Sequence, residues 1–319
     1  MRAILTALIT TLALTSTGLI SRVVAQCPNY SDGVAEAGIG SVTGGTYVPM
    51  VYIDCLTSIQ SIEVQFGRPG LTVPINGDPL TLAVWDDPTD DMNPNDAVLI
   101  ATIPIPAGIT GGHTGQWQRY DLTALLGNAI LATGGMFIGA AVSYPASSGQ
   151  GPSSIDFTNF TVGTQWMGGR YPSNPGPFNF ASVTSNSFLT PVQNQGFPPG
   201  NWLLRASGFE RFPHSCGAAG ITCIGSGLIG TNVVTTLQNA QGFPFVGYGL
   251  VQLGIPFCNC TVAHEFSFLV GGASHTLSIP PLPSNIGLQI LIQGLDFLAP
   301  GGCPNPQYTL TDSFSFLIH

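Results

Sequence analysis

The chain has 319 residues, a formal net charge of −9, and only 7% charged side chains. All seven basic residues are arginine and the last is Arg211, which excludes a nucleic-acid partner, because neutralising phosphates takes clustered Lys and Arg, and excludes lysine-based catalysis. A hydrophobic fraction of 44% excludes disorder, while 41 glycines and 26 prolines point to an ordered, turn-rich, all-β protein.

In chain order, Met1-Arg2 followed by the apolar run Ile4 to Ile20 and the small residues up to Ala25 reads as a secretory signal peptide over 1–25. No later segment is apolar for about 18 residues, so no integral membrane segment is expected after cleavage. The chain is therefore expected to be secreted, periplasmic or on the cell surface. All seven cysteines, Cys27, Cys55, Cys216, Cys223, Cys258, Cys260 and Cys303, follow the cleavage point and are disulfide candidates. Cys27 and Cys55 are the only two in the first half and are expected to pair. The five in the second half leave one odd thiol, with connectivity open. If Cys258-Asn259-Cys260 is a strand, both sulfurs share a face.

Two strand runs, Tyr47 to Ile53 and Ser61 to Phe66, precede the turn dipeptides Pro69-Gly70 and Asn76-Gly77. Leu80 to Trp85 alternates, with Leu80, Leu82 and Val84 on the core side. It runs into Asp86, Asp87, Asp90, Asp91 and Asp96, five of the 16 acidic residues. Closely spaced carboxylates can supply the hard oxygens Ca2+ takes. The spacing is not an EF-hand, and the alternative is a solvated acidic loop. The expected ligands are Asp86, Asp87, Asp90 and Asp91, with Asp96 second.

Strands follow at Ala97 to Ile105 and Gln116 to Leu122, a short helical turn in Thr123 to Leu131, and a buried strand at Gly135 to Tyr144. Residues 145–199 read as long loops with short strands. Trp166, placed in a loop near Arg170, is the candidate for a glycan-like ligand, while Trp117 and Trp202 read as core. Asn201 to Ala206 closes the first domain.

Beyond Phe209 to Gly227 the strands are nearly free of charge: Thr231 to Gln238, Tyr248 to Gly254, Cys258 to Val270, His275 to Pro280, Ile286 to Phe297 and Gln307 to Ile318. Ile286, Leu288, Ile290 and Ile292 are expected on one face. Gly225-Ser226-Gly227-Leu228-Ile229-Gly230 matches a dinucleotide fingerprint by letter only, since no acid lies between Glu210 and Glu265. His264-Glu265 lacks the second His of a zinc-protease motif. Glu63, Asp121 and Asp156 are dispersed carboxylates without a selecting pattern.

Leu250 to Gly254, the Cys260 strand, Ile279 to Leu291 with Gln293 and Asp296, and the ending Thr309 to Ile318 resemble the C-terminal module of exported proteins of planctomycete-type bacteria. The first half, through Leu80 to Asp87, Gln116 to Leu122 and Asn201 to Ala206, resembles the sandwich that precedes that module. The resemblance implies an exported protein and assigns no active-site residue. The expected architecture is a jelly-roll-like β-sandwich over 27–210, a linker over 211–227 and a smaller C-terminal β-sandwich over 228–319. The expected role is structural or interactive, with a glycan or cell-envelope component as partner and strand edges open to self-association. The alternatives are a Ca2+-assisted carbohydrate- or surface-binding module and a hydrolase with a dispersed carboxylate pair.

Overall fold

The computed structural model describes residues 35–39, 44–67, 77–110, 116–131, 134–144, 153–158, 160, 163–174, 176–194, 198–212, 215–300, 303–304 and 307–318. Residues 1–25, expected to be a signal peptide, Cys27 and the Cys303 side chain lie outside the described residues. The chain is all-β, and it divides into two compact units between Gly208 and Phe209.

The first unit opens with β1 (Ala37–Ile39), β2 (Gly45–Ile53), β3 (Leu56–Val64), β4 (Leu80–Asp86) and β5 (Val98–Ile105). Next come β6 (Gln118–Asp121), the short helix α1 (Leu122–Leu126), β7 (Ile130–Leu131), β8 (Met136–Tyr144) and β9 (Ser153–Asp156). It ends with β10 (Gln165–Arg170), β11 (Phe188–Pro191), β12 (Asn201–Trp202) and the start of β13 (Leu204–Phe212). Six strands form an antiparallel sheet in the order β11-β10-β2-β8-β4-β5. β3, with β6 and β7 on one side and Leu204–Gly208 of β13 beside it, supplies the facing layer. The main core lies between them: Val51, Ile59, Ile62, Leu80, Leu82, Val84, Ile138 and Val142 all belong to it.

The alternation of β4 is as expected, but its second face is also closed. Ala83 and Trp85 join Val48, Met50, Tyr52, Phe137 and Ala141 in a second core, roofed by Phe178 and Val183. Trp85 is fully buried and donates its indole N–H to the Phe180 carbonyl at 2.8 Å. Its ring rests on Gly139, where a Cβ would come within 2.7 Å of it. The roofing segment is tied by Asn186, whose amide donates to the carbonyls of Asn179, Ser182 and Val183 and accepts from Asn179 N. α1 overlaps the stretch expected to be helical but starts one residue before it, at Leu122. Asp121 caps it by accepting from Ala124 N at 2.9 Å, and Gly127 ends it at φ 82°.

The second unit takes up the rest of β13. It continues with β14 (Gly220–Gly225), β15 (Asn232–Gln238), β16 (Phe243–Gly249), β17 (Gln252–Phe257) and β18 (Cys260–His264). β19 (Phe268–Gly271), β20 (Ser274–Ser278), β21 (Gln289–Phe297), β22 (Cys303–Pro304) and β23 (Gln307–Leu317) complete it. Residues 211–227, expected as a linker, hold the end of β13 and all of β14. The letter-match fingerprint is a strand-turn-strand joining β14 to β15, with no helix for a pyrophosphate to sit on. Ile286 and Leu288 precede β21 in a 3-10 turn region and are exposed, because Pro283 at the turn start delays the strand to Gln289.

β16, β21, β23 and Phe209–Phe212 build the main sheet of this unit. On one face Ile221, Cys223, Val233, Leu237, Val246, Tyr248, Ile292 and Phe314 bury the three-stranded sheet β14-β15-β20 against it. On the other, Cys260 and Val262 of the β17-β18 hairpin pack on Leu295, Tyr308 and Leu310. Gly247 and Gly249 make room there for the Phe266 and His264 rings. Cys216 and Cys260 form a disulfide, with Cα atoms 5.0 Å apart. Cys55 and Cys258 each take part in a further disulfide bond. Cys258 sits at the hairpin tip with φ 54°, so it does not share a strand face with Cys260. The odd thiol is Cys223, buried and unbridged, which removes it from the disulfide candidates. Among the described residues no helix is long and apolar enough to cross a membrane.

Candidate functional site

The acidic loop is stitched from its own short polar side chains. β4 ends at Asp86, and Asp87 N donates to Gly135 O at 2.9 Å before Pro88 breaks the ladder. The Asp87 carboxylate accepts from Met92 N at 2.9 Å and from the Thr89 hydroxyl at 3.4 Å. Thr89 Oγ1 also donates to Asp96 at 2.8 Å. Asp91 accepts from Asn93 N, and Asn93 from Asn95 N, a run of Asx turns. Asp90 and Met92 both take positive φ, 56° and 62°.

One oxygen from each of Asp87, Asp91 and Asp96 lies within 4.8 Å of the other two. Asp87 is buried and the other two are exposed. Burial is the first cause that raises the Asp87 carboxyl above its ordinary range. Met92 N–H works against the rise, and the charges of Asp91 and Asp96 add to it. Three carboxylates are half or fewer of the six to eight oxygens Ca2+ takes, so backbone carbonyls and water would have to complete a cage.

The expected ligand set is therefore regrouped. Asp90 leaves it, because its carboxylate accepts both the Tyr52 hydroxyl and Gly135 N (2.9 Å). Asp86 is held in the ladder opposite Met136 and Val98, outside the cluster. Asp96, ranked second from sequence, is inside it. The brace from Tyr52 is a long-range contact that no local spacing announces. It pushes the Tyr52 hydroxyl pKa upward, through burial first and the Asp90 bond second.

Trp166 is in strand β10, not a loop, because it pairs with Met50 on one side and Pro191 on the other. Its indole N–H points at the carbonyls of Met92 and Gly163, each at 3.1 Å, so it fastens the acidic loop to the sheet. Arg170 lies four residues along the same strand and donates to Asn186 Oδ1 at 3.4 Å. Phe178 fills the space over the intervening Gly168. Trp202 is core as expected. Trp117 is half-buried with the Arg205 guanidinium 4.0 Å above its ring.

The dispersed carboxylates are each engaged. Glu63 bridges Arg119 (3.1 Å) and Arg205 (2.6 Å), Asp121 caps α1, and buried Asp156 accepts Thr158 N at 2.7 Å.

Comparison with protein-family models and with curated proteins finds no match.

The second unit holds five charged residues, all turned to internal contacts. Asp296, fully buried, accepts Gln241 N and Gly242 N. Glu265 accepts Leu250 N, Val251 N and the Ser267 hydroxyl. Asp312 accepts Ser215 N and pairs with Arg211. Glu210 accepts the Ser315 hydroxyl. The two clamps at Asp296 and Glu265 hold turns that would otherwise leave backbone N–H groups unsatisfied. Gln293 works the same way, accepting Ala263 N and donating to the carbonyls of Thr261 and Thr311, which fixes the hairpin to the main sheet.

Proposed function

We propose that this is a non-catalytic, exported or envelope-associated protein with a structural or interaction role. The observation that carries the reading is the use of the charged side chains: Glu63, Asp121, Asp156, Glu210, Arg211, Glu265, Asp296 and Asp312 all serve as braces, caps or clamps. A general acid or base needs a carboxyl facing a substrate space, and these carboxylates are engaged by arginines, hydroxyls and backbone N–H groups of the chain itself. The Cys216–Cys260 disulfide suits an oxidising compartment, in line with the signal-like start and the resemblance to exported two-domain proteins. The test is incubation of residues 26–319 with polysaccharide, peptide and ester substrates, alongside co-sedimentation with envelope material. Retention without turnover is expected; turnover of any substrate would overturn the reading.

A second reading is favoured by the convergence of Asp87, Asp91 and Asp96: a Ca2+ site at the loop, serving adhesion. Its measure is thermal unfolding with millimolar Ca2+ and with chelator. A cation binding only the folded chain at about 100 times its dissociation constant adds roughly 2.7 kcal/mol, a rise of about 5–10 °C for a unit of this size. Asp91→Asn with Asp96→Asn should abolish the rise while keeping buried Asp87. Identical melts in both buffers would leave the loop as solvated acid.

A further inference from the structure

The small sheet β14-β15-β20 carries a row of polar side chains across its otherwise apolar inner face. Cys223 pairs with Thr235 between β14 and β15, and Thr235 pairs with His275 between β15 and β20. Directly opposed residues point to the same side of a sheet, so all three face the main sheet, among Ile221, Val233, Leu237 and Ile292. Thr235 is fully buried, Cys223 is buried and His275 is half-buried, so the row runs from solvent inward to a thiol. Tyr248 of β16 meets it from the other side. Its hydroxyl lies 2.8 Å from His275 Nδ1 and also hydrogen-bonds Thr235, and its ring is stacked on Phe268 at 4.8 Å. Cys223 Sγ lies 3.8 Å from Thr235 Oγ1. A buried hydroxyl is costly unless bonded, and among the described residues these two hydroxyls find their partners within the row.

We infer that His275, Tyr248, Thr235 and Cys223 form a pH-sensitive hydrogen-bond relay, in which the charge on His275 sets whether the buried thiol donates or accepts. With the imidazole neutral, Nδ1 accepts the Tyr248 O–H. The Tyr248 oxygen then accepts the Thr235 O–H, and the Thr235 oxygen accepts the Cys223 S–H. A proton gained at His275 places an N–H on Nδ1, which donates to the Tyr248 oxygen. The Tyr248 O–H turns to the Thr235 oxygen and the Thr235 O–H turns to Cys223 Sγ. No other covalent bond changes, and the one hydrogen bond given up is that of S–H, the weakest donor in the row. The two directions therefore lie close in energy, and the bond to the imidazole decides between them. β14, β15, β16 and β19 bring no titratable side chain to the imidazole except Cys223 and Tyr248. Elsewhere in this unit Glu210 is bound to Ser315, Arg211 to Asp312, Asp296 to Gln241 and Gly242, and Glu265 to Leu250 and Val251. The relay is separate from the interaction role proposed above, and neither envelope binding nor substrate turnover bears on it.

The experiment is infrared spectroscopy of residues 26–319 in the S–H stretching region, stepped from about pH 8 to about pH 5, the span in which imidazoles titrate. Cys223→Ala identifies the band by its loss. The imidazole NMR signals that disappear in His275→Gln give the His275 midpoint. Buried His264 resists protonation until about 4, below this window. The band should move to higher wavenumber as pH falls, with the His275 midpoint, because a thiol that stops donating has a stiffer S–H bond. In Tyr248→Phe the band should stay fixed while His275 still titrates. Thr235→Val keeps the side-chain shape and interrupts the same row, so it decides the matter where Tyr248→Phe does not fold. A wild-type band that stays still through the His275 titration, or a band that still moves with pH in Thr235→Val, overturns the relay.

Discussion

Gly135, His264 and Cys223 show how much single residues carry here. A Cβ at Gly135 would collide with the Tyr52 hydroxyl and the Asp90 carboxylate. Gly135→Ala should therefore cost about 2–4 kcal/mol in urea unfolding, the range for a broken buried network, whereas an exposed glycine such as Gly134, with no atom near its Cβ position, should tolerate alanine. His264 is fully buried, its Nδ1 accepts Phe266 N, and its Nε2 has no hydrogen-bond partner among the described residues. Burial holds its pKa down, from 6.5 to about 4, against an opposing pull from Glu265. The unfolded imidazole takes a proton as pH falls below 6.5, and the folded one resists until about 4. Stability is thus fully present above 6.5 and declines through that window by about 3 kcal/mol. Melting temperature against pH should show the fall, and His264→Phe should flatten it. Cys223 has its thiol pushed up to about 12, by burial first, with the Thr235 hydroxyl opposing. It should resist alkylation at neutral pH until the chain unfolds, which peptide mapping would read.

At the scale of elements, the second unit is fastened by side chains that act as pieces of backbone. Asp296 occupies the place of a strand end for Gln241 and Gly242, and Gln293 that of a neighbouring strand for Thr261 and Ala263. Asp296→Ala leaves two N–H groups without acceptors and should cost about 2–3 kcal/mol, since hydrogen bonds to charged groups are the stronger kind. Gln293 and the Cys216–Cys260 bridge, which closes a sequence separation of 44, both hold the β17-β18 hairpin. Cys216→Ala with Cys260→Ala should lower stability by about 3–4 kcal/mol through the freedom returned to the unfolded chain. In the first unit the roof of Phe178, Phe180 and Val183 occupies the outer face of the six-stranded sheet.

For the molecule as a whole, composition and alternation already determined a great deal. An all-β chain of two units follows from short alternating runs separated by Gly and Pro, because period-2 patterning is a local property of strands. The near absence of charge after Arg211 is equally plain in the letters, and so is the concentration of acids between Asp86 and Asp96. What needed the tertiary structure is where each polar group turns. Asp90 and Asp96 are alike in sequence, yet one meets Tyr52, which arrives from β2, and the other remains with Asp87 and Asp91. Trp166 looked like a loop residue because its neighbours are Gly, Thr and Met, and only pairing with β2 and β11 makes it a strand. β14 lay in a stretch that read as a linker, and only its ladder with β15 shows that it is a strand. Local pattern specifies elements; partners at long range decide their boundaries and which side chains are free to act, because those depend on contacts between residues far apart in the chain.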